Sequence, residues 1–199
     1  MRRATIALLT VLLMGCSAGA QKASADEKAP DTFKVNFDTS RGPVVIEVNR
    51  ADAPVGADRL YTLVKNNYFD GARFFRVVPG FVVQFGLAGD PAVIRKWDMP
   101  IQDETPKTSN VRGTLTFAAS QMPNSRTTQM FINLGDNQRL DGIGFAPIGK
   151  VVSGMEFVDM IYSGDGENPQ QELIQAQGNA YLQKQFPNLD YIKTARIVP

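Results

Sequence analysis

Histidine is absent from the 199 residues, and cysteine occurs only once, at Cys16. Without an imidazole, the usual Ser-His-Asp and Cys-His nucleophilic machinery and histidine-based zinc sites are excluded. A single cysteine also excludes an internal disulfide and a thiolate metal cluster. The acidic group around Asp136 and Asp141 lacks the spacing and terminal Glu of a calcium loop, so it predicts a turn. We therefore expect no metal and no cofactor.

A strong net charge is also missing. The chain has 21 basic and 20 acidic residues, a net charge of +1, and no run of five like charges. Proteins that bind nucleic acid usually carry a basic patch, so this balance predicts no nucleic-acid partner. With 43% hydrophobic and 21% charged residues, the chain has the composition and length of one globular domain.

The first apolar run is too short to span a membrane. Residues 1–20, MRRATIALLTVLLMGCSAGA, place two Arg near the start, continue with a mainly apolar run from Ala4 to Gly15 and end with small residues. A spanning helix needs about 20 apolar residues. The order of basic, apolar and small residues instead predicts a secretory signal peptide, and hence an exported protein.

Two alternatives stay open for the end of this signal. The tetrapeptide LMGC, ending at Cys16, resembles a bacterial lipobox, in which the signal is cut before the cysteine and the thiol is acylated. Met14 departs from the small residue that is usual at its position. An ordinary signal would instead be cut after Ala20. The protein is thus expected to be periplasmic or to be an envelope lipoprotein, and the lipid on Cys16 would be its contact with the membrane.

Short alternating segments dominate the rest of the chain. Residues 21–32 are polar and small, as in a tether, and the domain is expected to span 33–199. Alternation and turn residues predict a hairpin over 33–48, strands at 72–78, 81–86, 113–119, 129–134 and 146–152, and a closing strand at 191–198. Helical spacing predicts helices near 52–67, 153–163 and 171–185, whereas 87–112 has the pattern of a loop. Many short strands without regular βαβ alternation favour an antiparallel barrel or sandwich.

Two of these helices carry more specific expectations. Ser153 and Glu156 have the spacing of a capping box at the start of the second helix. The candidate buried positions of that helix are Met155, Val158, Met160 and Ile161. The third helical segment has an apolar stripe, which favours packing in the core over a surface for a partner. The stripe consists of Leu173, Ile174, Tyr181 and Leu182.

Three blocks of sequence carry a family resemblance. They are FFRVVPGFVVQFG at 74–86, GTLTFAASQMPNSRTTQMFINLGDNQRLDG at 113–142 and FAPIGKVVSGMEFVDMI at 145–161. Together they resemble the cyclophilin family of peptidyl-prolyl cis–trans isomerases, from about Phe33 to the final strand. The resemblance implies a mainly β fold, an eight-stranded antiparallel closed β-barrel capped by helices. The helical segment near 170–186 is longer than compact members of that family need, so it is interpreted as an insertion.

The activity that the resemblance implies needs no nucleophile. Rotation about the peptide bond before proline is opposed by resonance, with a barrier of about 18–20 kcal/mol. In the twisted state the prolyl nitrogen regains its lone pair, and a fixed guanidinium can donate a hydrogen bond to it. By resemblance Arg76 is that guanidinium, and Gln84 helps to position it and the substrate.

The resemblance also implies a substrate site and a class of partner. The proline ring is expected in a pocket lined by Phe81, Val82, Phe131, Leu140 and Phe145. The edge formed by Ala118, Ala119 and Ser120 would bind the substrate backbone in an extended conformation, and Gln129 would contact the residue before proline. The expected partners are proline-containing polypeptides that fold after export, and the protein itself is expected to be a monomer.

Several positions depart from the pattern of the family. Phe75 stands where many members have His, Val82 where Met is common, Ala119 where Asn is usual and Phe145 where His or Tyr is found, and Phe85 interrupts a Gln-Gly-Gly sequence. Because these residues are expected to rim the pocket, they are expected to change substrate preference more than catalysis. Arg139 aligns with the Trp that favours cyclosporin binding, so we predict weak sensitivity to that drug.

Other interpretations of the same residues stay open. Without the resemblance, Arg76 would be interpreted as a surface residue whose aliphatic stem covers apolar neighbours. Three apolar residues would be interpreted as core residues: Phe81, Phe131 and Leu140. A different class of protein is a catalytically weak chaperone or docking module that binds peptides in the cell envelope. A third is a structural lipoprotein whose function lies in its anchor. Arg76 separates the first two classes, because a pure binding module has less reason to keep a charge in its pocket.

Overall fold

The computed structural model describes residues 26–199 of the chain. The predicted signal peptide, its cleavage sites, Cys16 and the first part of the predicted tether lie outside the described residues. No helix within 26–199 is long and apolar enough to cross a membrane.

Eight strands between residues 26 and 199 form one antiparallel sheet. They are β1 Thr32–Thr39, β2 Pro43–Asn49, β3 Arg76–Val78, β4 Val82–Phe85, β5 Thr114–Phe117, β6 Met130–Asn133, β7 Pro147–Ser153 and β8 Ile192–Val198. Their order across the sheet is β3-β4-β6-β5-β7-β2-β1-β8, and every neighbouring pair is antiparallel. The expectation of a mainly β fold with eight antiparallel strands is confirmed.

The hairpin of β1 and β2 shows why the alternating pattern was informative. Phe33, Val35 and Phe37 are buried, whereas the polar residues between them are only half-buried. Phe33 pairs with Val48 and Phe37 with Val44, so both strands turn their apolar faces to the same side. That side packs into one continuous core, in which several phenylalanine rings meet edge to face.

Within the described residues, five α-helices and one 3-10 helix accompany the sheet. The α-helices are α1 Pro54–Lys65, α2 Pro91–Trp97, α3 Met155–Asp159, α4 Gln171–Gln177 and α5 Asn179–Gln185, and the 3-10 helix covers Gln138–Ile143. The N-cap residue of α1 is Ala53, whose side chain makes no capping hydrogen bond. The Glu104 carboxylate instead accepts hydrogen bonds from the N–H groups of Val55 and Gly56, at 2.7 and 3.0 Å. An acidic group at this end of a helix is also favoured by the helix dipole.

The prediction of a continuous loop over 87–112 was wrong, because α2 lies within it. Asp90 caps this helix by accepting a hydrogen bond from the N–H of Ala92 at 2.7 Å, and Pro91 occupies the first helical position. Ile94 and Trp97 are buried. A helix of seven residues is too short to show a sustained apolar period, so only its cap marks it in the sequence.

The predicted capping box of the second helix was also wrong. Ser153 is the last residue of β7, and Gly154, which has no side chain to donate or accept, is the N-cap of α3. Val158 and Ile161 are buried as expected, but Met160 is 55% exposed. Two residues along a helix correspond to a rotation of about 200°, so Met160 lies on the side opposite to the buried Val158.

The third helical segment is broken in two at Gly178. This residue has φ 59° and ψ −142°, a backbone conformation that residues other than glycine rarely adopt. The next residue, Asn179, donates its N–H to the carbonyl of Gly89 at 2.9 Å, which fastens the α4–α5 junction to the loop before α2. Ile174, Tyr181 and Leu182 are buried, so the apolar stripe does pack in the core despite the break.

The end of the predicted tether is packed against α1. The Asp26 carboxylate pairs with the buried guanidinium of Arg59 at 2.8 Å, and the N–H of Glu27 donates to Thr62 Oγ1 at 2.7 Å. The N–H of Ala29 donates to Asp58. Residues 26–31 therefore belong to the folded domain, although their polar composition had placed them in the tether.

The two outer strands of the sheet, β3 and β8, come together at their starts. The carbonyl of Asp190 accepts the N–H of Phe74 at 3.0 Å. Ile192 donates its N–H to Ala72 and accepts that of Gly71, both at 2.8 Å. A short antiparallel bridge thus joins the chain just before β3 to the chain at the start of β8.

Candidate active site

The outer face of the sheet carries a second set of side chains, separate from the core. On β4, Val83 and Phe85 belong to the main core, whereas Val82 and Gln84 point to the other side because side chains alternate along a strand. On β6, Phe131 likewise faces away from the core side chains of Met130 and Ile132.

Three of these side chains form a row across neighbouring strands. Arg76 on β3 is directly opposite Gln84 on β4, and Gln84 is directly opposite Phe131 on β6. The register of two strand pairs therefore places a guanidinium, an amide and an aromatic ring next to one another. A shift by one residue would turn the whole row to the other face.

Hydrogen bonds fix the polar part of this row. Arg76 Nη1 donates to Gln84 Oε1 at 3.1 Å, and Gln84 Nε2 donates to Gln129 Oε1 at 2.9 Å. On its other edge, Arg76 donates from Nε to Oε1 of Glu167 at 2.6 Å, and its Nη2 forms an ion pair with the same oxygen at 2.5 Å. The Arg76 side chain remains 27% exposed, so the guanidinium is held at two sides and still reaches solvent.

The apolar part of the site is a small cluster of its own. Val82, Phe131 and Leu140 are buried against one another, and Phe81, Ala118 and Phe145 pack around them. The Phe131 and Phe145 rings meet edge to face, with centroids 5.9 Å apart. Since this cluster is separate from the main core, its apolar surface is available to form the floor of a pocket.

These side chains surround an open cavity of about 540 Å³. All eleven residues that the sequence assigned to catalysis or substrate binding line it: Arg76, Phe81, Val82, Gln84, Ala118, Ala119, Ser120, Gln129, Phe131, Leu140 and Phe145. Five residues that the sequence did not indicate line it too: Asp98, Ser125, Thr127, Gln171 and Gln175. The cavity combines an apolar floor with a few convergent polar groups, as is typical of a ligand site.

A buried network of asparagines supports two walls of the cavity. Asn137 Nδ2 donates to the Phe81 carbonyl at 2.9 Å and to Asn133 Oδ1 at 2.7 Å. Asn110 Nδ2 donates to the Phe145 carbonyl at 2.7 Å. Asn110 and Asn133 are fully buried, and both contribute to the network. The sequence placed Asn137 only in a turn, and nothing in its pattern indicated that it fixes the site.

Asp141 completes this network from the 3-10 helix. Its carboxylate accepts hydrogen bonds from the Ser109 hydroxyl and from the N–H and side-chain amide of Asn110. Burial alone would raise the pKa of Asp141. The hydrogen bonds together lower it by more than burial raises it, so the net pKa lies below the ordinary value. Within 26–199, no group of three or more His, Cys, Asp or Glu side chains could hold a metal ion.

The segment from Ser163 to Gly178 supplies residues that sequence reasoning missed. Gln171 and Gln175 of α4 line the cavity, and Glu167, just before α4, contacts Arg76. The backbone explains their position, because the carbonyl of Gly166 accepts the N–H of Val77 at 3.1 Å and so lies along the free edge of β3. Only the three-dimensional path of the chain brings these residues to Arg76.

Not all departures from the family pattern lie at the rim of the cavity. Val82, Ala119 and Phe145 line it, but Phe75 and Phe85 are fully buried in the main core, so the expectation that they rim the pocket was wrong. They sit on the core-facing side of their segments. The guanidinium carbon of Arg139 lies 4.7 Å from the centroid of the Phe81 ring.

Comparison with known proteins identifies the class to which this fold and site belong. The family model described as cyclophilin type peptidyl-prolyl cis-trans isomerase/CLD matches residues 34–177. The chain is 37% identical over 132 residues to a peptidyl-prolyl cis-trans isomerase of Acinetobacter baylyi, covering 64% of this chain and 70% of that protein. It is 32% identical over 172 residues to peptidyl-prolyl cis-trans isomerase A of Dickeya dadantii, covering 84% and 87%.

Solved structures show the same fold. A cyclophilin type peptidyl-prolyl cis-trans isomerase of Cryptosporidium parvum matches with a TM-score of 0.63 and 22% identity, over 84% of this chain and 98% of that one. A second structure of that protein, determined in the presence of the dipeptide Ala-Pro, matches with a TM-score of 0.61 and 23% identity, over 83% and 99%.

Family model and relatives agree that this mainly β domain is an isomerase of peptide bonds. The chain belongs to the cyclophilin-type peptidyl-prolyl cis–trans isomerases, and the resemblance read from its sequence is confirmed. Its reaction is the interconversion of the cis and trans forms of the bond before proline.

Proposed function

We propose that Arg76 catalyses this isomerisation by donating a hydrogen bond to the prolyl nitrogen of the twisted amide. The planar bond is protected by a resonance barrier of about 18–20 kcal/mol, and resonance is lost as the bond rotates. A hydrogen bond to the nitrogen lone pair stabilises the rotated state more than the planar one, in which that lone pair is delocalised. Only an interaction that strengthens in the transition state accelerates the reaction.

The observation that carries this proposal is the fixed guanidinium above the apolar floor. Gln84 and Glu167 hold Arg76 from two sides, and its remaining N–H groups are free to reach into the cavity. A donor that is already oriented needs no rearrangement as the bond twists, which is the basis of electrostatic preorganisation. The reaction requires no proton transfer, in keeping with a chain that has no histidine.

The apolar cluster is proposed to receive the proline ring. Val82, Phe131 and Leu140 would form the floor, with Phe81 and Phe145 on the sides. Ala118, Ala119 and Ser120 would hold the substrate backbone in an extended conformation, and Gln129 would contact the residue before proline. The Ala-Pro dipeptide used with the Cryptosporidium relative supports proline-containing peptides as substrates of this chain too.

We also infer that the sheet closes into a barrel. The three backbone hydrogen bonds between 71–74 and 190–192 support closure, since they link the chain beside the two outer strands. A closed sheet would leave no free edge at this seam and would hold β3, which carries Arg76, in place.

The proposed clients are exported proteins. The basic, apolar and small residues of the first twenty positions support export, and the LMGC sequence supports acylation of Cys16 in the envelope. We propose that the protein acts as a monomer on proline-containing chains that fold after crossing the membrane. Labelling cells with a radioactive fatty acid tests the anchor, with Cys16→Ser as the control.

The experiment that tests the catalytic proposal compares the chain lacking its first twenty residues with its Arg76→Ala variant. We expect the variant to lose about 100-fold in kcat/KM for a proline-containing test peptide, while its circular dichroism spectrum stays that of the parent. A parent that binds peptides but does not accelerate their isomerisation would instead favour a chaperone or docking module.

A further inference from the structure

The segment from Ser163 to Gly178 lies beside the catalytic strand and is fixed there at its start. The carbonyl of Gly166 accepts the N–H of Val77, the residue that follows Arg76, at 3.1 Å. A turn holds this part of the segment together, because the N–H of Gly166 donates to Ser163 at 3.1 Å. The backbone hydrogen bond between Val77 and Gly166 therefore places Glu167 next to Arg76.

The far end of the same segment is fixed as well. Helix α4 packs against α2, and its Ile174 is buried in the main core. Beyond it, Asn179 donates its backbone N–H to Gly89 and its side-chain amide to Gly71, both at 2.9 Å. Because both of its ends are attached to the domain, the segment forms a fixed wall of the cavity.

Glu167 uses this position to hold one edge of the Arg76 guanidinium. Nε of Arg76 donates to Oε1 of Glu167 at 2.6 Å, and Nη2 forms an ion pair with the same oxygen at 2.5 Å. Gln84 accepts from Nη1 on another side. A guanidinium has five N–H groups, so at least one on Nη1 and one on Nη2 remain for a substrate. The two contacts together define which N–H groups face the cavity.

Without Glu167, the guanidinium would be oriented by the hydrogen bond that it donates to Gln84 and by its contact with the Phe81 ring, whose centroid lies 5.7 Å from the guanidinium carbon. Arg76 is on a strand of three residues and its side chain is 27% exposed, so other orientations would be accessible. Because the Glu167 side chain is 61% exposed, the ion pair itself contributes little to folding stability. Its removal is therefore expected to change catalysis without unfolding the domain.

We propose that Glu167 is a positioning residue for Arg76, supplied to the active site by the segment from Ser163 to Gly178. The proposal rests on the proposed role of Arg76 as the hydrogen-bond donor. The twisted amide carries no full charge, so the direction of the donated hydrogen bond matters more than the net charge of the pocket. A neutral acceptor at position 167 should therefore serve nearly as well as the carboxylate.

The test measures kcat and KM for a proline-containing peptide in the chain lacking its first twenty residues. We expect Glu167→Ala to lower kcat roughly tenfold with KM changed less than about twofold, because a misplaced catalytic group slows the chemical step. Glu167→Gln, which retains the acceptor oxygen, should stay within about threefold of the parent. Glu172→Ala is the matched control, since this exposed carboxylate of α4 does not line the cavity.

A double-mutant cycle and a spectroscopic measurement separate positioning from a merely structural role. In the Arg76→Ala background, Glu167→Ala should have no further effect, because its target is gone. In the parent, the Arg76 Nε–H signal in nitrogen-15 spectra should be protected from exchange with water, and Glu167→Ala should remove that protection while Glu172→Ala leaves it.

Three results would overturn the inference. Glu167→Ala could match the parent or exceed it in kcat/KM, which would make the contact incidental or obstructive. Glu167→Gln could fall as low as Glu167→Ala, which would make charge the important property. The alanine variant could also lose activity equally in the Arg76→Ala background. Failure of the proposed function is recognised separately, by an Arg76→Ala variant that retains the activity of the parent.

Discussion

Arg76 and Gln84 are directly opposite each other in the β3–β4 pair, and Arg76 Nη1 donates to Gln84 Oε1 at 3.1 Å. The strand register thus places the amide acceptor where the guanidinium needs it. Gln84 also donates to Gln129, so one buried side chain links the proposed catalytic group to the proposed contact for the residue before proline.

Substitution of Gln84 by Leu should separate catalysis from folding. The change leaves Arg76 Nη1 and Gln129 Oε1 without this partner, so we expect kcat to fall about tenfold. The free energy of unfolding should fall by about 1 kcal/mol, the net value of a typical hydrogen bond. Peptide isomerisation kinetics and urea unfolding check the two expectations. If Gln84→Leu loses activity only in proportion to the fraction of protein that is unfolded, the role of Gln84 in positioning Arg76 is contradicted.

Substitution of Asn137 by Ala should disturb the support of the cavity. This buried amide bridges the Phe81 carbonyl and Asn133, so its removal leaves buried groups without hydrogen bonds. We expect a loss of about 1–3 kcal/mol in the free energy of unfolding. Urea titration measures it, with Gln138→Ala as an exposed control on the neighbouring position. Equal stability of both variants would show that the network does not hold the domain together.

Asp190 should make the protein sensitive to acid. Its burial by itself raises the pKa of the carboxyl, but hydrogen bonds from Ser40, the N–H of Tyr162 and Arg41 lower it, and the net pKa is below the ordinary value. A carboxyl with a lowered folded-state pKa adds stability above its unfolded pKa of about 3.9. That stability is lost as the pH falls through the folded pKa.

The variant Asp190→Asn tests this pH dependence. At pH 7 it should be less stable than the parent by about 1–3 kcal/mol, because it lacks the charged acceptor. The difference should narrow as the pH falls below about 4, where the carboxyl is protonated first in the unfolded chain and then, at its lowered pKa, in the folded protein. Urea unfolding at a series of pH values provides the measurement, and Glu156→Gln, at an exposed carboxyl, is the control. A difference that stays constant down to pH 2 would argue against the titration of Asp190.

Substitution of Gly178 by Ala should destabilise the junction of α4 and α5. A side chain at this φ of 59° and ψ of −142° is strained, and its Cβ would collide with the Gly89 carbonyl. We expect a loss of about 2–4 kcal/mol in stability, measured by thermal unfolding. Gly142→Ala, where a Cβ would have no neighbour within 4 Å, should stay close to the parent.

Arg139 should set the response to cyclosporin. Family resemblance aligns it with a Trp that favours the drug, and its guanidinium carbon here lies 4.7 Å from the Phe81 ring centroid. We expect weak inhibition of the parent and inhibition about tenfold stronger in Arg139→Trp, where the indole can add apolar contact area. Inhibition curves from the isomerase assay measure both. Equal curves would assign the weak sensitivity to other residues of the rim.

Local patterns were sufficient to predict most of the strands. Alternation in the β1–β2 hairpin predicts a half-buried strand because side chains point to opposite faces at every step, and the structure follows that pattern. Helix α2 was missed because seven residues give too few turns for an apolar period. The capping box at Ser153 failed because the strand β7 continues through that residue.

The sequence by itself determined the class of the protein and eleven of the sixteen side chains that line its cavity, because three short blocks of family resemblance contain them. Only the tertiary structure decided what surrounds Arg76 on its other side. Glu167 is 91 residues away in the chain, and its contact depends on a backbone hydrogen bond from Val77 to Gly166. Local propensity contains no information about such a contact, since it arises when a distant segment packs along the edge of β3.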